Sequence, residues 1–205
     1  MQVKTNFLQL AVESFAESVK VKNLIIQDNK LSVLIKMSEI ITKSIKNGGK
    51  LLLCGNGGSA ADAQHLATEL LVRLRPDVNR QSVPAISLAI DTSMITATGN
   101  DYSFDNIFSR PLSGLGKSGD VLLGITTSGK SANVLAAFKL ARDMGIVTLG
   151  FLGGTGGAAV ELCDEMFIVP SKITARIQES HITAGHVLME LIEEMLIEDK
   201  LITRY

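Results

Sequence analysis

The sequence predicts an α/β fold: a doubly wound, parallel five-stranded sheet flanked by helices, with N-terminal helices ahead of it and a long C-terminal helix closing the chain. Three observations lead there. Short, unbroken apolar runs recur along the chain, as expected of strands buried on both faces. Stretches with helical apolar spacing separate most of these runs. Two polar, glycine-rich turns follow the first and third runs, where a doubly wound sheet takes its ligands.

Taken in order, the first 30 residues carry Phe7, Leu8, Leu10, Ala11, Phe15, Val19 and Val21 at helical spacing. A second helix starts near Leu31, aligns Leu34, Ile35, Ile40, Ile41 and Ile45 on one stripe, and stops at Gly48-Gly49. Lys50–Cys54 is the first strand, followed by a glycine-rich turn and a helix from Ala60 to about Leu74. Ala85–Ile90, Asp120–Ile125 and Ile146–Leu152 are the next strands, and Met166–Val169 is a weaker fifth. Ser131–Met144 is a helix ending at Gly145, and about Ala175–Asp199 is the long amphipathic helix. No repeat or Pro-rich linker interrupts the chain. Residues 1–205 are therefore expected to form a single domain, with helices in 1–49 contributing to oligomerisation and an α/β core over about 50–199.

Composition narrows the function. Hydrophobic residues make up 46% and charged residues 20%, which excludes a disordered chain. Twenty Lys plus Arg stand against 21 Asp plus Glu, a net charge of −1, so the basic excess of a nucleic-acid binder is missing. Aromatics are 4% with no Trp, which disfavours a base-stacking platform. No apolar run approaches the roughly 18 residues of a membrane span, and the start lacks the pattern of a signal peptide. A cytoplasmic protein is expected, with Cys54 and Cys163 as buried free thiols rather than a disulfide or metal pair.

The turn Cys54-Gly-Asn-Gly-Gly-Ser59 has three glycines in four positions ahead of a helix. Backbone amides there approach an anion closely, and the helix N-terminus adds its positive end. Thr126-Thr-Ser-Gly-Lys-Ser131 puts four hydroxyls and an ammonium into the second turn, a set suited to a phosphate monoester. Ser131 by itself reads as a helix N-cap; the cluster argues for a ligand. Gly124–Ser131 also matches the P-loop pattern G-x-x-x-x-G-K-[ST]. Against a nucleotide triphosphatase, no Asp ends the strand at Ile146–Leu152, and the first turn and every histidine would be left without a role.

Three histidines fall in two segments. His65 and Glu69, at i and i+4, share a helix face and suit a metal or an acid–base couple. His186 lies eight residues after Gln178, about 80° apart in projection, and seven after Glu179, which aligns better. Helical geometry alone does not choose Gln178 over Glu179. His181 reads as a helix-face or core residue.

The motifs together resemble the bacterial phosphoheptose isomerases of the sugar isomerase (SIS) domain superfamily. The matches are Cys54–Ser59, Asp62-Ala-Gln-His65 with Glu69, Gly99-Asn-Asp101, Phe104–Arg110, Gly119–Gly124, Ser128-Gly129, Ser131–Val134, Arg176-Ile-Gln-Glu179 and Gly185-His186, in order over about residues 50–190. The resemblance implies a flavodoxin-like SIS fold and an aldose–ketose isomerase. The reaction would convert sedoheptulose 7-phosphate to D-glycero-D-manno-heptose 7-phosphate, the first step toward activated heptose for lipopolysaccharide or surface glycans. It implies sugar contacts from Asn56, Gly57, Gly58, Ser59, Asn100 and Asp101, and a phosphate site from Thr126, Thr127, Ser128 and Ser131. It also implies one Zn2+ per subunit on His65, Glu69, Gln178 and His186, with substrate meeting Glu69 and Gln178. Glu69 and His186 act as base and acid, while Glu179 and His181 are left as structural residues.

Two positions depart from the pattern: Lys130 stands where Asn is common, and Ala175 where some relatives carry an Asp proposed to face the substrate. A non-enzymatic SIS protein that binds the replication initiator is the main rival, but it lacks counterparts of Glu69 and His186. An isomerase of another sugar phosphate, such as a pentose phosphate, is the second. The N-terminal apolar stripe exceeds what one small sheet needs. It points, as the resemblance does, to a homotetramer with shared active sites.

Overall fold

The computed structural model describes residues 6–205, so the first five residues of the predicted N-terminal segment lie outside it. Five strands, β1 (Leu51–Gly55), β2 (Ala85–Ser87), β3 (Val121–Thr126), β4 (Val147–Gly153) and β5 (Glu165–Val169), form one parallel sheet in the order β2-β1-β3-β4-β5. The strands bury both faces. Leu51, Leu53, Leu123, Ile125, Phe151 and Phe167 enter one core cluster, while Leu52, Cys54, Leu122, Leu152 and Ile168 enter or pack on the other. That two-sided burial is why the strands read as unbroken apolar runs.

The first cluster is closed by helices α1 (Phe7–Gln27), α2 (Ser32–Lys46), α3 (Gly58–Thr68) and α7 (Thr174–Glu198). The second is closed by α5 (Ser109–Leu115) and α6 (Ala132–Asp143). Between β2 and α5 lie α4 (Thr92–Asp101) and a short 3-10 turn (Phe104–Asn106); apolar periodicity does not mark these short, partly exposed pieces. The strand expected over Ala85–Ile90 stops at Ser87, whose hydroxyl accepts from the Ala89 amide (3.2 Å) and starts a turn. Leu88 and Ala89 stay buried after the chain turns, so the apolar run outlasts the strand.

Two features bear on the site. The helix α3 begins at Gly58, two residues before the expected Ala60, and passes at Glu69 into a π turn over Glu69–Arg73. In α1 only Val21 and Ile25 are buried, while Phe7 and Phe15 are 77% and 79% exposed.

Candidate active site

The order β2-β1-β3 places the chain reversal of the sheet between β1 and β3, and both glycine-rich turns leave the carboxyl ends of these two strands. In the first turn a Cβ on Gly55 would come 2.7 Å from the Ser59 carbonyl oxygen, and Gly57 takes φ +56° to swing the chain into α3. In the second turn Gly129 takes φ +63° with the Gly156 carbonyl where a Cβ would stand. The turns are joined by a reciprocal amide pair: Asn56 Nδ2 donates to Asn133 Oδ1, and Asn133 Nδ2 to Asn56 Oδ1, both at 2.8 Å.

Thr127, Ser128 and Lys130 line an open cleft with Gly153, Gly154 and Ile177. Ser131 occupies the N-cap position of α6 but makes no capping bond; its hydroxyl lies 3.0 Å from that of Thr126. The residue is thus the N-cap by position, while its hydroxyl joins the cluster instead of bonding the helix backbone.

Behind the first turn, α3 and α7 bring His65, Glu69 and His186 together. His65 Nε2 is 2.8 Å from His186 Nε2 and 3.1 Å from Glu69 Oε1, and one ligand atom from each residue falls within 4.8 Å of the others. Two imidazoles and a carboxylate are a donor set that suits zinc. Asp62, one turn before His65 on the same face, stands beside this trio. Burial pushes its carboxyl pKa up, the neighbouring His65 and His186 pull it down, and its Oδ2 is buried without a hydrogen-bond partner. Its i, i+3 spacing to His65 is the signal by which sequence reasoning could have included it. Asn133 had no such signal.

Gln178 and Glu179 part company here. A Cβ on Gly58 would meet Gln178 Nε2 at 2.6 Å, so the amide lies against the N-terminus of α3. Glu179 instead pairs with Arg176, which also donates to the Ser14 carbonyl on α1 (2.7 Å). Burial raises the Glu179 carboxyl, but hydrogen bonds from Arg176 and Ser18 together leave its pKa below the ordinary value. His181 is fully buried, donates from Nε2 to the Leu152 carbonyl (2.9 Å) and packs on Phe151. Asn100 and Asp101 sit exposed at the end of α4, bonded to each other at 2.8 Å. Among the described residues no hydrogen bond ties them to the turns or to the trio.

The model of the SIS domain family matches residues 9–153, well over half the chain, and the fold is that of a SIS domain protein. The curated phosphoheptose isomerase of Clostridium acetobutylicum is 45% identical over 196 residues, covering 95% of this chain and 97% of that protein. That of Aquifex aeolicus is 48% identical over 191 residues, 93% of this chain and 98% of that protein. The solved phosphoheptose isomerase of Neisseria gonorrhoeae superposes with a TM-score of 0.86 at 38% identity, over 92% of this chain and all of that one. The chain belongs to the phosphoheptose isomerase family.

Proposed function

We propose that this protein is an aldose–ketose isomerase, an intramolecular oxidoreductase that converts sedoheptulose 7-phosphate to D-glycero-D-manno-heptose 7-phosphate at the start of activated-heptose synthesis for lipopolysaccharide or surface glycans. The observation that carries this is the cluster of His65, Glu69 and His186, on a chain that also holds a hydroxyl-lined cleft after β3. Thr126, Thr127, Ser128 and Ser131 hold the phosphate, and Asn56, Gly57, Gly58 and Ser59 meet the sugar. Asn100 and Asp101 meet the sugar from the end of α4.

His65, Glu69, Gln178 and His186 would hold one zinc ion per subunit. When bound, zinc supplies a Lewis acid that stabilises negative charge on the sugar oxygens. Glu69 takes the proton from one carbon of the C1–C2 pair and returns it to the other; His186 moves protons on the oxygens. Glu69 turns Oε1 to His65, which leaves Oε2 as the basic atom.

The protein acts in the cytoplasm as a single domain over residues 1–205, assembled by 1–49 into a homotetramer with shared sites. Among the described residues no helix is long and apolar enough to cross a membrane. The uncovered Phe7 and Phe15 of α1 support assembly; light scattering at micromolar protein is expected to give four chain masses, and one chain mass would exclude the tetramer. Turnover of sedoheptulose 7-phosphate, lost on chelation and restored by zinc, tests the activity. Equal or faster turnover of ribulose 5-phosphate would favour the pentose alternative.

A further inference from the structure

Beyond the assigned ligands, a buried cation grips the backbone that carries Glu69. Arg80 donates from Nη2 to the Glu69 carbonyl (2.8 Å) and from Nη1 to the Leu70 carbonyl (2.9 Å). Its Nε pairs with Glu193 on α7, and both side chains are only 1% exposed. Glu193 follows His186 by seven residues, two helical turns, and so lies on the same face of α7. One guanidinium therefore ties the peptide plane that leaves Glu69 to the helix that carries His186.

Glu69 needs this because it stands where α3 gives way to the π turn. At such a junction the regular i→i−4 ladder no longer dictates the rotation of the peptide plane, and with it the direction of the Glu69 side chain. The planar fork of Arg80 spans two successive carbonyls and fixes that rotation; a lysine ammonium is a point donor with no such geometry.

We propose that Arg80, braced by Glu193, is a positioning residue that sets the direction of Glu69 and its separation from His186. The inference rests on the assignment of Glu69 as ligand and base.

Arg75 provides the control. It also pairs with Glu193 (2.7 Å from Nε) and with Glu194, but it makes no hydrogen bond to the Glu69 turn. A merely structural ion cluster would respond alike to changes in either arginine.

The test titrates each protein with Zn2+ against a chromophoric chelator and measures kcat, KM and melting temperature. Wild type comes first: failure of wild type to bind zinc overturns the assignment of Glu69 as a ligand, and failure to turn over overturns its role as base. For Arg80→Lys, zinc affinity and kcat are each expected to fall about tenfold, with KM unchanged. For Arg75→Gln, the melting temperature falls while zinc affinity and kcat hold. Should Arg80→Lys not fold, Glu193→Asp keeps the charge, withdraws the carboxylate by one methylene, and is expected to shift zinc affinity and kcat the same way by about threefold. Wild-type zinc affinity and kcat in the Arg80 or Glu193 variant, or equal losses in Arg75→Gln, would overturn the proposal.

Discussion

Gly58 and Gln178 occupy complementary space: the amide of Gln178 lies where the side chain of any other residue at 58 would begin, 2.6 Å from an ideal Cβ. The first residue of α3 thus sets where the proposed fourth zinc ligand can rest.

Gly58→Ala is expected to push Gln178 aside and leave the fold intact, because the obstructing atom is the tip of a flexible side chain and the helix start accepts alanine. Zinc affinity should fall about tenfold or more with little change in melting temperature. Unchanged affinity in a competitive titration would remove Gln178 from the ligand set.

Glu69→Gln keeps a ligating oxygen and removes the base. Turnover should drop by roughly 10²–10⁴ and stay low at any zinc concentration. His65→Ala, which loses only a ligand, should recover in part with excess zinc. Near wild-type turnover of Glu69→Gln in excess zinc would make Glu69 a ligand alone, with His186 the next candidate for the base.

Lys130 is exposed beside Thr127 and Ser128 in the cleft. Lys130→Asn should raise KM for the sugar phosphate by no more than about 1 kcal/mol and spare kcat. The P-loop pattern at Gly124–Ser131 is a coincidence of spelling on this account. ATP hydrolysis by the wild type that disappears in the variant would reinstate it.

Burial lowers the pKa of His181 from 6.5 to about 4, opposed in part by its bond to the Leu152 carbonyl. Between these values the unfolded chain binds the proton and the folded chain does not, so stability rises with pH across the window. The contribution is complete above the unfolded value and disappears on descent towards 4, by up to roughly 3 kcal/mol. Urea unfolding at pH 7.5 and 5.0 measures it. His181→Gln should flatten that part of the profile, and an unflattened one would assign the acid loss to other groups.

Most of this protein could be read from its sequence because its strands are buried on both sides and its turns are spelled in glycine and hydroxyls. The parallel sheet, the two turns and the His65–Glu69 pair follow from runs and spacings that short-range physics fixes. What lay outside reach depends on partners distant in the chain. Gln178 meets Gly58, while Glu179 pairs with Arg176 on its own helix, itself bonded to Ser14 of α1; a helical wheel of α7 contains Arg176 but neither Gly58 nor Ser14. Arg80 looks like one more loop arginine until Glu193 arrives beside it. The stretch between Ala85 and Leu115 misled because burial of Leu88 and Ala89 continues through a turn.

The contact between His65 and His186 spans 121 positions of chain. Half of the proposed ligand set is close in sequence, since His65 and Glu69 stand four positions apart across the end of α3. The other half waits for the parallel sheet to close, the slow and entropically costly part of folding such a topology. A partly folded chain therefore holds at most a two-donor fragment, and the complete donor set exists only once the fold is finished, so tight metal capture, if the proposed site binds zinc, would report native topology rather than helix formation.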